Sequence, residues 1–118
     1  MAIVQVFGVK NSQATRAAER FFKERRVEMQ IVDLKKKPMA GGEIVRFIDK
    51  FGWAGLLDSE GKIYADAGLK YLRVSEAELL GKIEREPLLL RLPLVRAGKR
   101  LSVGPDMEGW KAMVEQGE

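Results

Sequence analysis

The spacing of apolar residues changes several times along the chain, and each change marks an element. Ile3-Val4-Gln5-Val6-Phe7 is β-branched and apolar up to Gly8, which reads as a buried strand. From about Gln13 to Arg26 the spacing becomes helical. Ala14, Ala18, Phe21 and Phe22 fall on one side, and Arg16, Glu19, Arg20, Lys23 and Glu24 on the other, the pattern of a helix with one buried stripe. Asn11 or Ser12 stands where the cap belongs, since a short side-chain oxygen there accepts from the orphan amides of the first turn. Met29-Gln30-Ile31-Val32-Asp33-Leu34 reads as a second strand. A helix crossing between two strands predicts parallel neighbours with a right-handed connection.

Gly41-Gly42 precedes a second helix from Glu43 to Phe51, with Ile44, Phe47, Ile48 and Phe51 at helical spacing and Gly52 ending it. Trp53 to Tyr64 carries no clear period, apart from a turn at Asp58-Ser59-Glu60-Gly61. Ser75-Glu76-Ala77-Glu78 has the spacing of a capping box, and Leu79, Leu80 and Ile83 follow it up to Pro87. Leu88-Leu89-Leu90 suits a short buried helical turn. Pro93-Leu94-Val95-Arg96 and Arg100-Leu101-Ser102-Val103 flank Ala97-Gly98-Lys99, a hairpin pattern with glycine in its turn. Pro105-Asp106 opens a last helix with Met107, Trp110, Met113 and Val114 on one face. The order predicts an α/β fold, a mixed four-stranded sheet with flanking helices, as one domain over residues 1–118.

Composition narrows the chemistry. The 118 residues are 46% hydrophobic and 32% charged, enough for a packed core and unlike a disordered chain. No apolar run approaches the roughly 20 residues of a membrane span. Met1-Ala2-Ile3-Val4 enters a strand with no basic leader, so a cytoplasmic protein without membrane contact is expected. The net charge is +4, but the basic residues are dispersed. Lys35-Lys36-Lys37 beside Pro38 reads as a solvated loop, and no direct nucleic-acid contact is expected. There is no histidine and no cysteine, which removes the usual zinc and copper ligands and any histidine-based triad. No metal or cofactor is expected. Asp58, Glu60 and Asp66 lie in turn-rich sequence without a pairing suited to acid–base catalysis. Trp53 and Trp110 read as packing residues.

Four stretches carry a family resemblance: Phe7-Gly8-Val9-Lys10-Asn11, Tyr64-Ala65-Asp66-Ala67-Gly68-Leu69, Glu86 to Val95, and Gly98-Lys99-Arg100-Leu101-Ser102-Val103-Gly104. In this order and spacing the chain resembles the arsenate reductase (ArsC) and Spx family over nearly its whole length. The resemblance implies a thioredoxin-like, glutaredoxin-like fold of bacterial type. The family typically reads Gly-x-x-Asn-Cys at the first stretch, Tyr-x-x-x-Gly-Leu at the second, and Arg-Pro followed by apolar residues at the third. The first cysteine is then the nucleophile, its thiolate stabilised by helix amides and dipole, while arginines hold the oxyanion.

Carried over residue by residue, the nucleophile's position is Ser12, the usual second cysteine's is Thr15, and Arg16 matches the basic residue that often follows. Leu92 stands where the arginine precedes the proline, with Arg91 one place away; Asp58 and Gly104 lie near the positions of two further arginines. The resemblance also implies a cis bond before Pro93, facing the loop that starts the first helix.

Ser12 reads first as a helix cap, then as a hydrogen-bonding partner for a ligand; catalysis would require a base, a role that Lys10, close in sequence, could take. The chain is therefore expected not to act as a thiol reductase. Two roles stay open. One is a binding or regulatory protein, with the transcription machinery as partner by resemblance to Spx. The other is an oxyanion- or glutathione-binding protein, or an arsenate reductase-like enzyme, using the loop that starts the first helix, with Lys10, Asn11, Ser12, Arg16 and Pro93 as its ligand-binding residues. Arg16 and Pro93 have equally plain structural readings, as a solvated arginine and a strand-opening proline. A monomer is expected.

Overall fold

A computed structural model describes residues 3–39, 41–68 and 74–115. The elements follow the expected order: β1 Val4–Gly8, α1 Gln13–Glu24, β2 Met29–Asp33, α2 Gly41–Leu56, α3 Lys62–Asp66, α4 Glu76–Arg85, a 3-10 turn at Pro87–Leu89, β3 Leu94–Ala97, β4 Arg100–Val103 and α5 Met107–Glu115. Leu69, which ends the second resemblance stretch, lies outside the described residues. The chain gathers into two compact units, Met1–Asp33 with Leu92–Glu118, and Leu34–Arg91.

The first unit holds the whole sheet, in the order β2-β1-β3-β4. β1 and β2 run parallel, with Val4 opposite Met29 and Gly8 opposite Asp33. β3 is antiparallel to β1, with Val4 opposite Ala97 and Phe7 opposite Leu94. β4 returns antiparallel to β3 from Arg100 opposite Ala97. The mixed four-stranded sheet is the expected one. Its core joins Val4, Val6, Val95 and Ala97 of the sheet to Ala18, Phe21 and Phe22 of α1 and to Trp110 and Met113 of α5. Burying such side chains removes apolar area from water at roughly 25 cal/mol per Å², and three aromatic rings concentrate that area. The Phe21 and Phe22 rings meet edge to face at 5.1 Å, and Trp110 lies 5.7 Å from Phe21 and 6.2 Å from Phe22.

Two helical faces differ from expectation by a small rotation. In the first turn of α1 the buried residue is Thr15, while Ala14 is only half-buried. Met107 remains 49% exposed, because α5 begins there and its inward face is set by Trp110 and Met113, with Val114 packed partly against the core.

In the second unit, Ile44 and Phe47 of α2 are buried, and the helix breaks at Gly52, where φ is 71° and ψ 167°. A left-handed φ with extended ψ is a conformation that glycine adopts without a side-chain clash, which is why the periodic run stops there. Ser75 caps α4 as expected: its Oγ accepts from the Glu78 amide at 3.2 Å, and its own amide donates to the Glu78 carboxylate at 3.4 Å. Leu57 bridges Leu90, and the flanking Asp58 and Arg91 amides donate to the carbonyls of Leu89 and Leu56. Leu89 and Leu90 are buried, as expected of that leucine run. Lys35, Lys36 and Lys37 are all exposed in a turn. Among the described residues no helix is long and apolar enough to cross a membrane.

Candidate functional site

The candidate site is the joint between β1 and α1. β1 ends at Gly8, Val9 is buried, and the chain turns through Lys10 and Asn11 so that the Ser12 amide donates to the Val9 carbonyl at 3.1 Å. Ser12 is extended, with φ −89° and ψ 119°, and its Oγ accepts from the Thr15 amide at 3.2 Å. Its carbonyl takes the first helical bond, from the Arg16 amide. Ser12 is thus the N-cap of α1, with its hydroxyl oxygen already engaged. Of the first-turn amides, those of Gln13 and Ala14 are not taken by this turn, and they point along the helix axis, where its dipole favours an anion.

Thr15 is only 2% exposed, and its Oγ1 is buried without a hydrogen-bond partner. The side chain sits against the backbone of Gly8, so close that a β-carbon at Gly8 would lie 2.9 Å from Thr15 Cβ. Lys10, Asn11 and Arg16 are exposed. Pro93, after a cis bond from Leu92, is fully buried, and its carbonyl accepts from the Gly104 amide at 2.9 Å. Leu92 is 6% exposed. The cis bond is where the resemblance implied it.

An open cleft of about 450 Å³ brings together Lys10, Thr15, Arg16, Glu19, Ile31 and Asp33. It lies between the start of α1 and the end of β2. Of the residues singled out from sequence, Lys10, Thr15 and Arg16 line it; Asn11, Ser12 and Pro93 do not. Beyond Ile31 the groove continues along Arg16, Arg20 and Lys23 of α1 and Met29 of β2. Four cations thus face two carboxylates, Glu19 and Asp33, along this flank.

Glu19, Ile31 and Asp33 were not singled out from sequence. A signal for them exists, because Met29, Ile31 and Asp33 share one face of a strand at period two, and Arg16, Arg20 and Lys23 lie along one stripe of a helix at spacings of four and three. What the sequence lacks is which strand is the edge.

The positions that the resemblance sets near the family's arginines carry other duties. Arg91 donates from Nε to the Leu57 carbonyl at 3.2 Å. Asp58 closes the turn to Gly61, whose amide donates to the Asp58 carbonyl at 3.0 Å. Among the described residues no cluster of three or more acidic side chains is placed to hold a metal ion. A separate small cavity in the second unit, about 80 Å³ and walled mainly by hydrocarbon such as Leu34, Ile44 and Ile83, presents no reactive group but Glu84.

Comparison with known proteins bears on the family and the fold. The ArsC family model matches residues 7–113. The arsenate reductase of Neisseria meningitidis serogroup A is 26% identical over 117 residues, covering 97% of this chain and 100% of its own length. Among solved structures, the YFFB (PA3664) protein superposes with a TM-score of 0.80 at 19% identity, over 93% of this chain and 97% of its own. Arsenate reductase from Vibrio cholerae gives 0.74 at 14% identity, over 97% of each chain. At these identities the superpositions establish the fold, which is thioredoxin-like with its mixed four-stranded sheet.

Proposed function

This chain belongs to the ArsC family, and from that premise we propose that it uses the family scaffold as a non-catalytic binding or regulatory protein, in a cytoplasmic setting. One observation carries this: the residue at the nucleophile's position, Ser12, has its hydroxyl oxygen engaged as the cap of α1, in a chain without cysteine or histidine. A serine hydroxyl forms no mixed disulfide. It would need a base to become a nucleophile of another kind, and the capping bond is its resting duty. Thr15, at the second thiol position, is packed against Gly8 and only 2% exposed, and its hydroxyl, like that of Ser12, forms no mixed disulfide. A protein partner is the occupant that needs none of this chemistry, and by resemblance to Spx the transcription machinery is the first to test.

A second reading rests on its own observation. The Gln13 and Ala14 amides, together with the exposed cations Lys10 and Arg16, leave donors for an oxyanion or for the carboxylates of glutathione.

Two measurements on the purified chain decide between them. Arsenate reduction with glutathione and glutaredoxin is expected at the no-protein level; turnover above it ends the non-catalytic reading. In an amide NMR titration with arsenate, phosphate and glutathione, no localised shifts are expected at residues 8–16 up to millimolar ligand. Saturable shifts confined there would install the second reading instead.

A further inference from the structure

We propose that the α1–β2 flank is a docking surface for an extended acidic segment of a partner protein, added as a fifth strand beside β2 with its carboxylates on Arg16, Arg20 and Lys23. The inference takes the binding role proposed above as its premise and assigns it a surface away from the Ser12 cap.

Three observations point there. Among the described residues β2 is an edge strand, since the sheet order is β2-β1-β3-β4. Just before β2 the Glu28 carbonyl accepts from the Val4 amide, and Val4 lies opposite Met29. In a parallel ladder the backbone groups of Glu28, Gln30 and Val32 therefore face β1, and those of Met29 and Ile31 point out of the sheet. Unpaired edge groups of this kind are the template for strand addition.

The second observation is apolar exposure on that edge. Ile31 is 51% exposed, an unusual place for a β-branched side chain on a strand, and it lines the groove with Met29. An added strand would cover both with its backbone and with the methylene stems of the side chains it places on that face.

The third is charge. Arg16, Arg20 and Lys23 stand in one exposed row above the edge, against a single carboxylate, Glu19, on the same helix face. Alternate residues of a strand lie about 6.6–6.8 Å apart on one face, and Arg16 and Arg20, four residues apart on a helix, are separated by about 6 Å along its axis. Carboxylates at every second position of an added strand match that row, with the intervening apolar residues on the opposite face. The groove is too basic to favour a basic segment, and pairing with a second copy would bring two such rows together.

The test is titration of the ¹⁵N-labelled chain with a blocked Val-Glu-Val-Glu-Val-Glu peptide at low salt, beside a Val-Lys counterpart and a Val-Glu peptide N-methylated at every amide. Saturable shifts confined to residues 13–23 and 29–33 are expected, for the acidic peptide alone. Exposed ion pairs are each worth a factor of a few and are screened by salt. The Arg16→Glu/Arg20→Glu variant should therefore bind at least about tenfold more weakly, and raising salt from 50 to 200 mM should weaken binding several-fold. The N-methylated peptide, which cannot complete the ladder, should lose binding at least about tenfold without any change to the protein. Equal binding of the lysine peptide, retained binding by the N-methylated one, scattered shifts, or no shifts at all would each overturn the proposal. So would a peptide-free dimer at β2 seen by sedimentation. None of these outcomes touches the arsenate assay, so this surface and the non-catalytic role stand or fall separately.

Discussion

The side chain of Thr15 occupies the space in which a side chain on Gly8 would grow. A β-carbon built on Gly8 falls 2.9 Å from Thr15 Cβ and nearer still to Oγ1 and Cγ2. Turning Thr15 about χ1 does not clear it, because Cβ does not move in that rotation. Gly8→Ala therefore requires helix and strand to separate, and should cost about 1–3 kcal/mol by denaturant melting. In a Thr15→Ala background two of the three nearest atoms are gone, so the same change should cost less, with a coupling of about 0.5–3 kcal/mol. Additive costs would show that something other than this contact selects glycine.

Gly52 makes the opposite argument. A β-carbon built there meets nothing within 4 Å, yet φ is 71° and ψ 167°. Alanine in a continuous helix would be worth about 1 kcal/mol over glycine. At this backbone conformation it should instead lose about 1–3 kcal/mol. The sign of the change in urea midpoint decides: stabilisation by Gly52→Ala would mean that α2 runs straight through residue 52.

Phe22 is 0% exposed, and its ring meets both Phe21 and Trp110. Phe22→Ala should cost about 3–5 kcal/mol, a large share of the roughly 5–15 kcal/mol that holds such a domain together. Its fluorescence is the check, because Trp110 is 1% exposed whereas Trp53 is half-buried and donates to Glu76. Emission should shift red well before the wild-type transition. A variant that melts within 1 kcal/mol of wild type would mean that the core closes over the missing ring.

Most of the order of elements was legible, because periods of two and 3.6 are local properties of sequence. The Ser75 capping box and the Gly52 break were legible for the same reason. The Thr15 contact was not: threonine reads as polar, Gly8 has no side chain to register, and their packing depends on how α1 leaves β1. The exposure of Ile31 was hidden differently. Met29 to Asp33 looks the same as a central or an edge strand, and only the pairing of β3 with the far side of β1 leaves β2 at the border. Of the residues singled out at the β1–α1 joint, Lys10, Thr15 and Arg16 share one cleft. Pro93 is buried, which no feature of the tripeptide around it announces.

Substitutions at Ser12 separate its structural duty from the chemistry of its position. Ser12→Ala removes the acceptor for the Thr15 amide and should cost about 1 kcal/mol. Ser12→Asp should restore that loss, since a carboxylate accepts the same bond and is favoured by the helix dipole. Ser12→Cys places a lone thiol where the amides of the first turn converge, and such a thiol titrates below the usual value of about 8.5. It should therefore be alkylated by iodoacetamide at pH 7 faster than free glutathione is. Reactivity is still not turnover. The resemblance sets Leu92, Asp58 and Gly104 near the positions of the family's oxyanion arginines, so charge forming on a bound oxyanion would lack the guanidinium groups that the resemblance implies there. Arsenate reduction by Ser12→Cys with glutathione and glutaredoxin should remain at the no-protein level. Turnover in that variant would mean the thiol was the only missing part, and the binding role would lose its main support. Slow alkylation would show that the first-turn amides do not reach residue 12 in solution as the capping bond requires.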